Sequence, residues 1–173
     1  MFLDRLFKPR PAKTAAAGLY AAATAQARLP IFYTTLSVPD TREGRFEMYT
    51  IHVILLIERL KGQGEAAAET SQAVFDAYLR GLDDAFRELG VGDLSVPKKM
   101  KKLGEAFYGR LRAYEKAFAQ LPDHGELEAL IGRTIESADH PALARYVVAA
   151  RDHLADQPLD ELLTGKVTWL DPR

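Results

Sequence analysis

Apolar residues recur along most of this chain at intervals of three and four positions, the spacing of one face of an α-helix. The clearest case is the stretch 65–89, where Val74, Tyr78, Leu82 and Phe86 share one face and charged residues occupy the other. This pattern predicts a long amphipathic helix whose apolar face packs against the rest of the protein.

The same spacing predicts helices in most of the remaining sequence. They span approximately residues 14–28, 45–61, 65–89, 96–119, 125–137 and 141–155, with shorter helical turns near 32–36 and 159–163. The segment 45–61 is apolar on nearly every side, which is typical of a helix at the centre of a bundle. Only residues 167–170 show the alternation expected of a strand. We therefore predict an all-α fold, a single-domain bundle of about six to eight helices.

The N-terminal segment, residues 1–13, is predicted to be an amphipathic arm. Phe2, Leu3, Leu6 and Phe7 share one helical face, and basic residues flank them. This composition predicts contact with a membrane surface. A frayed terminus or an arm that packs on the body of the protein is the alternative interpretation.

The most apolar unbroken run, residues 53–57, or 51–57 if His52 is allowed, is far shorter than the roughly 20 residues that a membrane-spanning helix needs. The N-terminus also lacks the apolar stretch and cleavage site of a signal peptide. The sequence contains no cysteine, which suits a reducing compartment and excludes thiol chemistry. We therefore expect a cytoplasmic protein.

Charge is nearly balanced overall but strongly patterned along the chain. The sequence has 23 Lys and Arg against 24 Asp and Glu, a net charge of -1, which argues against a generally basic protein and against DNA as a partner. Residues 1–60, 61–94, 95–118 and 119–173 carry +3, -4, +5 and -5. The basic excess consists of Lys98, Lys99, Lys101, Lys102, Arg110, Arg112 and Lys116. On a helix these residues project away from the apolar stripe and are expected to face solvent.

This basic face has two interpretations. It is either an ordinary solvated surface or a contact for an anionic partner, namely an acidic protein segment, lipid head groups or ribosomal RNA. Lysines at a helix N-terminus each cost about 0.3 to 1 kcal/mol against the helix dipole, so helix stability does not explain them. Gly109 lies among the basic positions and would let the backbone of a partner come close.

Residues that would support catalysis or metal binding are sparse. No Walker phosphate loop or Gly-x-Ser-x-Gly motif occurs, and the four histidines lack the Glu-x-x-His spacing of helical di-iron sites. His52 is predicted to be a hydrogen-bonded interior histidine, and Trp169 to dock the C-terminal tail. We predict no catalytic residues, no metal and no bound cofactor. A helical terpenoid-synthase or di-iron enzyme would instead require carboxylates clustered around an internal cavity.

Several stretches together resemble one known family. They are residues 27–33, 38–47 with His52 following, 75–76, 87–99 and 106–110. The string Arg-Glu-x-Gly-Val-Gly-Asp-x-x-Val-Pro-Lys at 87–98 is the most specific. These stretches are similar to the ubiquinol-cytochrome c chaperone family, whose mitochondrial members assist assembly of respiratory complex III. The resemblance covers roughly residues 14–120.

The resemblance implies an all-helical, non-catalytic assembly chaperone. Such a protein binds newly made cytochrome b, assists biogenesis of ubiquinol-cytochrome c reductase and, in mitochondria, works near the ribosomal exit with a small partner protein. The mitochondrial targeting sequence of those relatives is missing here, so we expect a bacterial form on the cytoplasmic face of the inner membrane. In domain terms, the helical chaperone domain spans 14–173, with a family-like core (14–120), C-terminal helices (121–165) and a tail (166–173).

Residues of the family-like stretches, together with lysines of the basic face, are the predicted contacts with a partner. They are Arg28, Phe32, Tyr33, Asp40, Arg45, Phe46, Arg87, Glu88, Asp93, Lys98, Lys99, Lys102, Tyr108, Gly109 and Arg110. The aromatic members could equally belong to the core. The arginines could instead form internal ion pairs with Asp40, Asp76 or Glu88. The alternative function is a helical ribosome- or RNA-binding protein that uses the basic face within 98–112.

Overall fold

The computed structural model describes residues 11–88 and 96–172, which form eight helices. These are α1 (Pro11–Ala27), α2 (Pro30–Thr34), α3 (Arg42–Leu60), α4 (Glu65–Glu88), α5 (Val96–Phe118), α6 (Gly125–Thr134), α7 (His140–Ala155) and α8 (Leu159–Leu163). The all-α prediction is confirmed. The predicted membrane contacts Phe2, Leu3, Leu6 and Phe7 lie outside the described residues, as does Asp93.

Two helices begin three residues earlier than the apolar pattern indicated. α1 starts at Pro11, since proline is tolerated in the first turn of a helix, where its missing N–H has no intrahelical partner. α3 starts at Arg42 because the Thr41 hydroxyl accepts a hydrogen bond from the Gly44 N–H at 3.1 Å and so caps the helix.

The core is built around α3, as its all-round apolar pattern predicted. This helix packs against α1, α4, α5 and α7, and every residue from Glu47 to Leu56 except Tyr49 is buried. Met48, Ile51, Leu55 and Leu56 are each 1% exposed or less. Its first turns reach the protein surface, where Arg42, Glu43 and Arg45 are exposed.

The C-terminal tail is not a strand but an extended strap held by two glutamine side chains. Gln157 pairs with both backbone groups of Thr168, donating to the carbonyl at 2.8 Å and accepting from the N–H at 2.9 Å. Gln26 donates to the Leu170 carbonyl at 2.8 Å. Trp169 docks against His52 with ring centroids 4.9 Å apart, which agrees with its predicted role.

His52 lies at the centre of a buried hydrogen-bond chain, as an interior histidine was predicted to do. Its Nδ1 lies 2.7 Å from the Met48 carbonyl, which can only accept, so Nδ1 carries the proton. Its Nε2, 2.8 Å from the Tyr146 hydroxyl, then accepts from that O–H. Gln26 in turn donates to the Tyr146 oxygen at 3.1 Å. The chain joins α1, α3 and α7, and burial of the imidazole keeps it neutral by lowering its pKa.

Acid is therefore expected to weaken the fold through His52. Burial lowers the pKa of His52 to about 4, whereas the unfolded residue titrates near its ordinary value of 6.5. Below that ordinary value the unfolded chain binds a proton at His52 that the native chain does not. The contribution of His52 to stability is therefore fully present above the unfolded pKa and decreases as the pH falls towards 4. Between about pH 7 and about pH 5 the loss should be about 2 kcal/mol. Urea unfolding at a series of pH values across this range measures the loss. In the His52→Gln variant the free energy of unfolding should no longer show the part of its pH dependence that comes from His52.

Candidate functional site

A surface groove of about 630 Å³ lies where the C-terminal end of α1, the first turns of α3 and the last turns of α4 meet. Single residues of α2 and α5 complete its walls. The groove is lined by Tyr20, Thr24, Ala27, Arg28, Tyr33, Arg42, Glu43, Arg45, Phe46, Glu47, Tyr49, Gly81, Leu82, Ala85, Phe86 and Leu103. Its size is that of a site for a ligand or for several side chains of a partner.

Aromatic and aliphatic side chains make up most of the groove wall. Tyr20 packs edge-on against Tyr49 with ring centroids 5.4 Å apart, which joins α1 to α3. Gly81 of α4 permits this arrangement, because a Cβ at this position would lie 1.8 Å from the Tyr20 hydroxyl oxygen. Leu82 and Phe86 extend the apolar wall along α4 and are only partly buried. The groove thus offers apolar surface that residues 11–88 and 96–172 leave uncovered.

One edge of the groove is fixed by Arg45. Its Nε donates to an Asp40 carboxylate oxygen at 2.5 Å, an ion pair that the sequence analysis had proposed. The guanidinium also lies 5.2 Å from the centroid of the Tyr33 ring. The Tyr33 hydroxyl donates to the Ala27 carbonyl at 2.6 Å. Burial raises the pKa of Tyr33, so this hydroxyl stays protonated and keeps the end of α1 attached to α2.

The floor of the groove contains a buried ion pair that sequence reasoning missed. Glu47 is 7% exposed, and Arg110 of α5 binds both of its carboxylate oxygens, with the Nε contact at 2.9 Å. Burial alone would lower the pKa of Arg110, but the hydrogen bonds and charge of Glu47 raise it above its ordinary value. The Arg110 guanidinium also lies 5.6 Å from the centroid of the Phe46 ring. This pair ties α5 to α3 beneath the groove.

The structure brings four of the predicted contact residues together in the groove, namely Arg28, Tyr33, Arg45 and Phe46. For Phe32 the expectation of partner contact is wrong. Its side chain is 0% exposed and packs in the core, with its ring centroid 4.9 Å from that of Tyr146. The short α2 carries Phe32 inward and Tyr33 outward.

The remaining predicted contacts on α5 lie on its solvent side. Exposed residues of this face are Lys98, Lys99, Lys102, Tyr108 and Gly109. Tyr108 is 45% exposed, and a Cβ at Gly109 would meet nothing within 4 Å. Lys99 reaches the groove, since its Nζ lies 5.6 Å from the centroid of the Phe86 ring. The basic face and the groove therefore adjoin each other at Phe86.

At the end of α4, Arg87 and Glu88 are exposed, and Arg87 donates to Asp83 at 2.8 Å one turn earlier. They extend the charged surface beyond the groove wall. Asp40 is engaged with Arg45 as described, and its ion pair holds that arginine at the groove edge.

The described residues, 11–88 and 96–172, include no cluster of three or more His, Asp or Glu side chains able to hold a metal ion. Within the same ranges no helix is both long enough and apolar enough to cross a bilayer. A second, smaller cavity of about 270 Å³ lies between α3 and α7, lined by Glu58, Arg59 and Arg151 among others. Its charged walls distinguish it from the apolar groove.

Comparison with known proteins supports a single family. A protein-family model described as "Ubiquinol-cytochrome C chaperone" matches residues 34–169. The chain is 25% identical over 166 residues to "Ubiquinol-cytochrome-c reductase complex assembly factor 1" of Xenopus laevis, covering 91% of this chain and 81% of that protein. The factor of the same name in Homo sapiens is 24% identical over 163 residues, and this chain spans only 54% of its length.

A solved structure agrees with these matches. The "Crystal structure of the Cbp3 homolog from Brucella abortus" is 34% identical and superposes with a TM-score of 0.87. The match covers 99% of this chain and 98% of that one. Since the family match extends over most of the sequence and the fold agrees, this chain belongs to the ubiquinol-cytochrome c chaperone family.

Proposed function

We propose that this chain is a non-catalytic assembly chaperone that binds newly made cytochrome b and assists biogenesis of ubiquinol-cytochrome c reductase. The observation that carries the proposal is the groove, because it places apolar surface that no described residue covers in the family-like part of the chain. A chaperone needs such a surface, to which an apolar segment of its client binds before that segment finds its final partners.

The geometry of the groove suits a helical client segment. Three helices supply its walls, and an apolar helix face can enter such a groove with side chains spaced three and four positions apart. The aromatic rings of Tyr20, Phe46, Tyr49 and Phe86 offer large contact areas with little loss of side-chain entropy. The Glu47–Arg110 pair holds the floor in place while the groove is empty.

The basic face of α5 supports a second contact, with an anionic surface. Lys98, Lys99 and Lys102 are exposed and adjoin the groove through the contact of Lys99 with Phe86. A client that is a membrane protein is made at a ribosome close to a bilayer. The ribosomal RNA and the lipid head groups both present phosphates to which the basic face can bind. We place the protein in the cytoplasm, peripheral on the cytoplasmic face of the inner membrane, with the ribosome near its exit site as a further partner.

Blocking the groove should abolish client binding. Ala85 is an exposed helical residue in the groove wall, so Ala85→Glu fills the groove with a charged side chain without disturbing the core. We expect cytochrome b recovered with the tagged chain after pulse labelling to fall about tenfold or more, since desolvating a charge against apolar walls is costly.

Ala149→Glu is the matched control, because Ala149 is an exposed alanine of α7 outside the groove. This variant should recover cytochrome b as the wild type does. If the wild type recovers none, the proposed function is wrong. If Ala85→Glu binds cytochrome b normally, the client uses another surface.

A further inference from the structure

The mouth of the groove carries two arginines without a carboxylate partner in the described part of the chain. Arg28 follows the last residue of α1, and Arg42 is the first residue of α3. Both are exposed and both line the groove. Arg45, which also lines it, is instead paired with Asp40 at 2.5 Å.

The other charges facing the groove do not cancel these two. The lining contains two carboxylates, Glu43 and Glu47, and Glu47 is already bound by Arg110. Glu43 lies in the first turn of α3, where the helix dipole favours a negative charge. Two arginines therefore face one exposed carboxylate, and the mouth is cationic.

Helix stability does not account for Arg42. A cation at the first position of a helix opposes the dipole, whereas Arg28, beyond the C-terminus of α1, is in a favourable place. Arginine differs from lysine in presenting a planar fork that matches a carboxylate with two hydrogen bonds. The pair is thus suited to an acidic group brought in beside apolar side chains.

We propose that Arg28 and Arg42 make the groove selective for an apolar helical segment that carries an Asp or Glu side chain within one turn of its apolar face. The proposal rests on the proposed function and names the chemistry of the client segment. The apolar wall takes the aliphatic and aromatic side chains, and the arginines take the carboxylate. An acid-free apolar helix buries the same area but leaves both arginines unpaired.

A polypeptide is favoured over nucleic acid as the occupant. The wall is aromatic and aliphatic over Phe46, Tyr49, Leu82 and Phe86, and a phosphate backbone would leave this surface in water. The carboxylate of a fatty acid has the same charge as an Asp or Glu side chain. The experiment therefore includes a fatty acid as a competitor, to distinguish these two sources.

The test uses the full chain and an array of overlapping 18-residue peptides that cover cytochrome b. A second array carries Lys in place of every Asp and Glu. We expect the bound peptides to be apolar with an acidic residue, and binding to fall about tenfold when that residue becomes Lys. The variant with Arg28→Glu and Arg42→Glu should reverse this preference and bind the Lys peptides better.

Arg133→Glu with Arg145→Glu is the matched control, since both arginines are exposed and lie outside the groove while the net charge changes equally. This control should keep the wild-type preference. Equal binding of Asp or Glu peptides and their Lys versions would overturn the selectivity and leave the proposed function standing. Displacement of all peptides by equimolar oleate, with oleate bound more tightly than any of them, would make a fatty acid the occupant and overturn the proposal. Failure of all peptides, together with no cytochrome b in the pulse-labelled pull-down, would defeat the proposed function itself.

Discussion

Gly44→Ala is expected to lower the free energy of unfolding by about 2 to 4 kcal/mol. Gly44 is buried in the first turn of α3, and a Cβ there would lie 2.1 Å from the Pro39 carbonyl oxygen and 3.4 Å from a methyl carbon of Val38. The nearest atom belongs to the backbone, so relief requires moving the loop before α3 or unwinding its first turn. Either movement displaces Arg42 and Arg45 from the groove edge.

Urea unfolding followed by circular dichroism measures this loss. Gly104→Ala is the control, because Gly104 lies within α5 and a Cβ there would meet nothing within 4 Å. That change should raise stability by about 0.5 to 1 kcal/mol, since alanine is the better helix former. A loss of less than about 1 kcal/mol for Gly44→Ala would contradict the close packing of the loop on α3.

Arg110→Ala is expected to destabilise the protein by about 2 to 3 kcal/mol, because it leaves the Glu47 carboxylate in the protein interior without its partner. The side chains are 9% exposed for Glu47 and 24% exposed for Arg110, so water replaces the lost hydrogen bonds only in part. Because the pair ties α5 to α3, its loss should also loosen the packing of α5. Amide hydrogen exchange in α5 should therefore become faster.

Two further variants test whether the loss comes from leaving a buried charge without its partner. The double change Glu47→Met with Arg110→Met should recover most of the lost stability, because it removes both charges and keeps the volume apolar. Arg45→Ala breaks an ion pair whose side chains are 51% and 57% exposed, so its effect on stability should stay below about 1 kcal/mol. If Arg110→Ala costs no more than Arg45→Ala, Glu47 is better solvated than its burial indicates.

The sequence predicted the helices well because their apolar faces repeat over several turns. The stretch 45–61 indicated a central helix, and α3 is one. The apolar pattern did not predict the start of this helix at Arg42. The helix begins there because of a single hydroxyl, that of Thr41, which caps it, and a single residue gives no repeated pattern. His52 was placed correctly in the interior because its neighbours on all sides are apolar.

The groove was only partly predictable. Arg28, Tyr33, Arg45 and Phe46 were identified through the family resemblance, but the periodicity of a helix cannot decide whether an aromatic residue at its edge is covered by another element. Phe32 illustrates this limit, because the five-residue α2 has too few turns for a pattern.

Glu47 was missed because its partner is distant in sequence. Arg110 lies 63 positions away, so no local signal connects the two residues. Only the packing of α5 on α3 brings them together. The apolar residues around Glu47 were the one hint that its carboxylate needed a partner within the protein.

The central claim, that the groove holds cytochrome b, is tested most directly by crosslinking in cells. A photoreactive benzoylphenylalanine in place of Phe86 would lie in the groove wall, and the same residue in place of Ala149 would lie on exposed α7 outside it. We predict that irradiation joins newly made cytochrome b to the chain from position 86 and not from position 149. Equal crosslinking from both positions, or crosslinking from position 149 alone, would contradict the account.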